Sequence, residues 1–212
     1  MKIFVAGATG RVAGEMIKEL VHFGHYVTAG ARRPDKVIRL EGVTPVHMDL
    51  HESTADLSKV IAENDAVYFT AGSRGKDLLQ TDAFGAVKLM QAAHTVEITR
   101  FVMLSSVFAT EPDKWTDPNL INLTNYNIAK YFADQWLIQN TDLTYTIIQP
   151  GNLVEAPEGS GKIAINVEKS QPNSIPNVAR TLAYIADKDN TFKKIIRMSD
   201  GETPIAQAID SI

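Results

Sequence analysis

The chain has 212 residues, enough to bury a large core without staples, and no cysteine, which excludes disulfides, thiolate nucleophiles and cysteine zinc sites and points to a reducing compartment. Its 21 Lys and Arg against 25 Asp and Glu leave a net charge of −4, so nothing in the charge suggests nucleic acid or an acidic membrane surface as partner. The apolar run at the amino terminus is too short for a signal-peptide core, and no stretch approaches the roughly 20 apolar residues of a membrane span, so a cytoplasmic location is expected.

Short apolar runs alternate with longer amphipathic stretches. Residues 3–6 read as a buried strand, and a helix follows at 10–23 with Val12, Met16, Leu20 and Phe23 on one face. Strands are expected at 26–30 and 44–47, a helix at 55–62, a fourth strand at 66–70, a long helix at 81–93 and a fifth strand at 101–105. A helix at 122–139 and a sixth strand at 145–148 complete this series. Strands alternating with helices predict an α/β protein with a doubly wound parallel sheet, and uninterrupted apolar strands agree with burial on both faces. Past Pro150 and Gly151 the pattern loosens. Segment 155–173 carries Pro, Gly and Ser around an apolar run at 163–167. A helix at 176–187, a strand at 194–198 and a last helix at 203–209 follow. The expectation is one domain over 1–212, in which residues from about 151 to 212 form a small C-terminal substrate lobe over the carboxyl end of the sheet. No coiled-coil heptads and no exposed apolar helix stand out, which leaves the oligomeric state open.

The segment Gly7-Ala8-Thr9-Gly10-Arg11-Val12-Ala13-Gly14 joins the first strand to the first helix. Gly7 can take the angles of a sharp strand-to-helix turn, and Gly10 lets the main chain approach a diphosphate. The helix start adds free N–H groups and a partial positive charge, so Gly7, Thr9, Gly10, Arg11 and Val12 are candidates to hold the diphosphate of a dinucleotide. A purely structural tight turn is the competing reading. An NAD site usually has an acid at the end of the second strand, but this chain has Arg32 and Arg33 there. Guanidinium forks suit a 2′-phosphate, so NADP(H) is favoured over NAD(H), against the alternative of two solvated loop charges. Asp49 and Leu50 after the third strand are placed to meet adenine, and the small residues Thr70, Ala71 and Gly72 leave room for ribose and diphosphate. Ordinary turns account for both segments as well.

Together these residues resemble the short-chain dehydrogenase/reductase superfamily, and more narrowly its atypical branch of small NAD(P)-binding Rossmann proteins, the biliverdin reductase B and NmrA-like group. The likeness runs over nearly the whole chain. It continues through Arg100-Phe101-Val102-Met103-Leu104-Ser105-Ser106, Tyr126-Asn127-Ile128-Ala129-Lys130, Tyr145-Thr146-Ile147-Ile148-Gln149-Pro150-Gly151 and Gly201-Glu202-Thr203-Pro204-Ile205. Tyr126 and Lys130, four apart, share one helix face. The resemblance implies that Tyr126 exchanges a proton with the substrate oxygen and that Lys130 lowers the tyrosine pKa and holds the nicotinamide ribose. It implies that Ser106 polarises the substrate carbonyl, with Ser105 the near alternative and a cofactor neighbour. Pro150, Gly151, Asn152 and Leu153 match the loop that cups the nicotinamide. Gln149 stands where relatives often carry Arg, and Asn177 where many have an Asp capping the next helix, a role open to Asn.

His47, Asp49 and His51 lack an evident further ligand, so no metal is expected. Glu155 and Glu158 show no pairing that demands acid–base work, and Trp115 reads either as a substrate-side or as a packing residue. The implied function is an NADPH-dependent oxidoreductase acting on a small-molecule carbonyl, quinone or flavin-like acceptor. A non-catalytic NADP(H) sensor of the NmrA-like kind is the alternative, and a sugar-nucleotide epimerase or dehydratase stands third.

Overall fold

The computed structural model describes residues 1–212. In β1 (Lys2–Ala6) the alternation of side chains sends Ile3 and Val5 to one face and Phe4 and Ala6 to the other. All four are fully buried, because helices cover both faces. After α1 (Arg11–His22) come β2 (Tyr26–Ala31), β3 (Val43–His47), α2 (Thr54–Ile61), β4 (Ala66–Phe69), α3 (Gly85–Thr95), β5 (Arg100–Leu104), α4 (Thr124–Gln139) and β6 (Thr144–Pro150). The remainder holds β7 (Asn152–Val154), β8 (Lys162–Ile165), β9 (Pro172–Ser174), α5 (Ile175–Tyr184), β10 (Lys194–Asp200), β11 (Thr203–Pro204) and α6 (Ile205–Asp210).

Nine strands form one sheet in the order β3-β2-β1-β4-β5-β6-β10-β8-β11. The seven from β3 to β10 are parallel, while β8 runs antiparallel to β10 and β11 antiparallel to β8. From β1 the chain winds outward through β2 and β3, then returns to β4 on the other side. The strand order therefore reverses between β1 and β4, and a crevice opens above their carboxyl ends, the usual ligand position in such sheets. On one face α1, α5 and α6 pack Met16, Ile17, Leu20, Val178, Leu182 and Ile209 against Ile3 and Val5. On the other, α2, α3 and α4 pack Leu57, Ile61, Leu89, Met90 and Leu137 against Phe4 and Phe69. Each such side chain, fully withdrawn from water, contributes about 1.5–3 kcal/mol to the hydrophobic term.

The long helix expected at 81–93 is two elements. A π-helical turn, Leu78–Phe84, precedes α3. Its register is set from outside, since Asp82 turns fully inward and its Oδ2 accepts the Ser73 N–H at 3.0 Å. Gly85 then carries the chain past the β3–α2 connection, where a Cβ would lie 2.9 Å from the Gln80 carbonyl oxygen and 3.0 Å from Leu50 Cβ. The last helix also starts late, because Thr203 and Pro204 pair with Ile163 and Lys162 as β11. Residues 151–212 contribute β8, β10 and β11 to the main sheet, and β7 and β9 form a small parallel pair beside it.

An apolar helix face is exposed after all. The two charged residues of α4, Lys130 and Asp134, are both buried, while Ile128, Phe132 and Trp136, four residues apart, face solvent. The sequence pattern hides this face because charged residues on a helix are ordinarily its wet side.

Candidate functional site

The β1–α1 turn is built from backbone. Gly7 sits at φ +86°, and a Cβ there would lie 2.6 Å from Ala71 Cα, so the β1 and β4 ends touch main chain to main chain. The N–H groups of Gly7 and Ala8 both donate to the Gly30 carbonyl at 3.0 Å, which pins the turn to β2. Thr70 closes the other side, donating its hydroxyl to the Ala6 carbonyl at 2.8 Å. Gly10 precedes α1 in extended conformation with no capping side chain, and no acid stands in the first turn. Gly10 N–H donates back to the Gly7 carbonyl at 2.9 Å, and the first helical bond runs from Gly14 N–H to the Gly10 carbonyl, so the amides of Arg11, Val12 and Ala13 have no partner within the helix. Thr9 is exposed at the tip, and Val12 and Ala13 are buried beneath. Unclaimed amides, a helix start without an acid and a side-chain-free floor fit a diphosphate.

Around this turn the expected residues divide. Arg32 and Arg33, just past β2, are exposed and engage no carboxylate in an ion pair. Arg32 lies near enough to Asp77 to help hold that carboxyl below its ordinary range, after the larger effects of hydrogen bonds from Thr81 and His51. Asp49 turns its Oδ1 to the His51 N–H at 3.0 Å, an Asx turn. Leu50, expected to pack on adenine, is buried with Phe4 and Leu57 in the core, because the backbone beside Gly85 draws it inward. Gly72 leads from β4 toward the Asp82 carboxyl. Arg11 reaches across to Glu155 at 2.6 Å, an exposed ion pair joining the phosphate turn to the loop after β7. Glu155 thus has a partner that the sequence pattern does not reveal.

The other half of the crevice holds the titratable groups. Lys130 is buried on α4. Its Nζ donates to the Leu104 carbonyl at 3.2 Å and lies 5.7 Å from the centre of the Tyr126 ring and 5.5 Å from that of Phe69. Tyr126 and Lys130 are therefore neighbours at the end of β5. The tyrosine pKa nevertheless moves upward: burial outweighs the pull of the Lys130 charge, and the Asp82 and Asp134 carboxyls add to the rise. Lys130 does pull the tyrosine pKa down, in the direction expected, but burial is the larger effect and the net shift is upward. Ser106 is half-buried, and its hydroxyl makes no hydrogen bond within the protein, whereas Ser105 is buried and donates to Asp134 Oδ2 at 2.6 Å. Between the two, Ser106 is free to meet a ligand.

On β6, Gln149 is buried and donates to Asp134 at 3.2 Å and to Thr110 at 3.3 Å. Pro150 accepts from Val107 N–H, Gly151 donates to the Met198 carbonyl, and Asn152 donates to the Gln171 carbonyl, which fixes the loop leading to half-buried Leu153. Asn177 does not cap α5. It lies inside the first turn, where its amide donates to Ser160, to the Lys162 carbonyl and to Asp200, and accepts from Gly161 N–H. Trp115 donates its Nε1–H to the Phe108 carbonyl at 2.9 Å and meets Tyr131 edge-on, a packing role. A separate hollow of about 320 Å³ beside Lys2, Tyr26 and Asn64 lies at the opposite, amino ends of the strands.

Asp134 and Asp82 join the site without having been singled out, and Glu155, set aside in the sequence, joins it through Arg11. Asp134 had a signal: it continues the i, i+4 spacing of Tyr126 and Lys130.

Residues 7–189, the phosphate turn included, match the family described as NAD(P)H-binding. The chain belongs to that family. A fellow Rossmann protein, the oxidoreductase ylbE from Lactococcus lactis, is 42% identical, with a TM-score of 0.97 over 100% of this chain and 96% of that one. Another relative, from Bacillus subtilis (strain 168) and bearing the name Uncharacterized sugar epimerase YhfK, is 32% identical over 100% of both chains. A short-chain dehydrogenase/reductase from Veillonella parvula in complex with NADP shares the fold at 18% identity, with a TM-score of 0.77 over 95% of each chain. Membership of this NAD(P)H-binding family accounts for the side-chain-free floor at Gly7 and Gly10 and for the unclaimed amides at the start of α1.

Proposed function

We propose that this protein is an NADPH-dependent oxidoreductase that reduces a small carbonyl, quinone or flavin-like acceptor. The observation that carries the reading is Tyr126 beside a buried Lys130 and a free Ser106 hydroxyl, next to a turn suited to a diphosphate. When bound, NADPH supplies the hydride. Ser106 polarises the acceptor oxygen, and Tyr126 donates a proton to it as negative charge builds there. Lys130 stabilises the phenolate left behind. Burial, which raises its pKa, keeps Tyr126 in the protonated form that a proton donor needs. Arg32 and Arg33 would clamp the 2′-phosphate, and Gly7, Thr9, Gly10, Arg11 and Val12 the diphosphate.

The test follows loss of reduced-nicotinamide absorbance against a panel of quinones, flavins and aldehydes. Tyr126→Phe is expected to cut turnover of a responsive acceptor about 10²–10⁴-fold while leaving NADPH affinity unchanged. Unchanged turnover in that variant would remove Tyr126 from the chemistry.

The uncharged outer face of α4 favours a second reading, a cofactor-binding regulator that docks a protein partner on Ile128, Phe132 and Trp136. Tight NADPH binding with no acceptor turned over across the panel supports it. The name of the Bacillus relative adds sugars to the compounds to be tried.

A further inference from the structure

The segment between β7 and β8 is anchored at both ends and tied to the rest of the molecule at one point between them. On the near side β7 pairs with β9, and Asn152 N–H donates to the Gln171 carbonyl at 3.0 Å. On the far side Asn177 accepts from Gly161 N–H at 2.9 Å and donates to the Lys162 carbonyl at 3.1 Å. Residues 155–158 make no main-chain hydrogen bond, and their single side-chain bond is the 2.6 Å contact of Glu155 Oε1 with Arg11 Nη1. A stretch with so few bonds of its own opens at little cost. Arg11 is the first residue of α1, where the unclaimed amides begin, and Glu155 stands one residue past β7, on the other side of the crevice. The pair therefore spans the crevice beside the diphosphate turn. Arg11 has no second partner, so its Nε and Nη2 donate to nothing in the protein. A guanidinium carries five donors in a rigid fork, which lets Arg11 keep Glu155 on one edge and offer the other to a phosphate.

We propose that Glu155 is a positioning residue for the dinucleotide: through Arg11 it fastens residues 155–158 over the bound diphosphate and so sets how fast the cofactor leaves. This rests on the reading that the crevice takes NADPH. A dinucleotide seated on the amides at the start of α1 lies between the two sides that the contact joins, and it leaves when the contact opens. An exposed ion pair is weakened by water and salt, so the brake it supplies is a few-fold one. Charge alone predicts the opposite sign. Glu155 is an acid beside a site for a polyanion, and removing a repelling charge slows the departure of an anion. Fastening and repulsion thus act on the release rate in opposite directions. Glu158, in the same segment, is exposed and pairs with no cation, so it carries the repulsion without the fastening.

The experiment uses the full chain and its Glu155→Ala, Glu155→Gln and Glu158→Ala variants. Each is loaded with NADPH and mixed rapidly with excess NADP⁺, and the fall in cofactor fluorescence times the release; association is timed in a separate mixing. Glu155→Ala is expected to release NADPH about two- to fivefold faster than the parent at about 50 mM salt, with association no slower. The gap between the two should close near about 0.5 M salt, as screening loosens the parental pair. Glu155→Gln keeps the length and still accepts from Arg11, so its release should fall between the parent and Glu155→Ala. Glu158→Ala should release at the parental rate or more slowly. Release from Glu155→Ala at or below the parental rate overturns the proposal, the slower case making Glu155 a competing anion. Equal acceleration in Glu158→Ala, or a gap that persists at high salt, overturns it as well. A parent that binds neither NADPH nor NADH defeats the functional reading and this proposal with it, whereas the other failures leave that reading standing.

Discussion

Arg32 and Arg33 are where the proposed preference for NADPH is tested. Neither is committed to a carboxylate, so neither must give up a partner to meet a phosphate. Replacing both by Ala is expected to weaken NADPH about 10–100-fold and to leave NADH within about twofold, since charge-assisted hydrogen bonds are worth roughly 1.5–3 kcal/mol. Isothermal titration with the two reduced cofactors checks this, and an equal loss for both would return the arginines to the solvent. The neighbouring serines show what a sequence can and cannot say at this scale. The motif singles out Ser105 and Ser106 together, but their hydroxyls diverge only because Asp134 lies beneath the first. Only the i, i+4 spacing from Tyr126 and Lys130 hints at Asp134, because a carboxylate in mid-helix ordinarily faces water. Tyr126 is the mirror case. Its position is readable from the spacing to Lys130, while the direction of its pKa shift depends on how deeply distant parts of the chain bury it.

At the scale of elements, α1 and the strands β1, β2, β4, β5 and β6 were readable because their apolar periodicity is local and agrees with their burial. The π-helical turn was not, because its extra residue per turn answers to Asp82 and Ser73 and to the squeeze between Gly85 and Leu50. None of these contacts leaves a trace in the apolar pattern. Substituting Gly85 with Ala tests that account. A Cβ 2.9 Å from the Gln80 carbonyl oxygen must push the turn away from Leu50, and a loss of about 1–3 kcal/mol in denaturant unfolding is expected. Full stability in Gly85→Ala would mean that the turn holds its shape for another reason. Strands β8 and β11 were missed or read as helix for a related reason. They are short, and long-range antiparallel pairing to β10 gives them their conformation.

The whole molecule spreads one crevice over nearly its full length of chain. The diphosphate turn comes from the first dozen residues, Tyr126 and Lys130 from the middle, and the loop opposite Arg11 from beyond residue 150. No helix is long and apolar enough to cross a membrane. The placement of β10 has a consequence for synthesis. β6, apolar and buried, lies between β5 and β10, yet its second neighbour is made only some 45 residues later, and β8 and β11 then cover β10 in turn. Until residue 200 has left the ribosome, the nascent sheet ends in a bare, sticky border. A chain stopped after Thr191 should therefore collect in the insoluble fraction on expression where the full chain is soluble, and recovering it folded and monomeric would refute this. The riskiest moment in the life of this protein thus falls near the close of translation, when a chaperone that shields open strand borders would matter most.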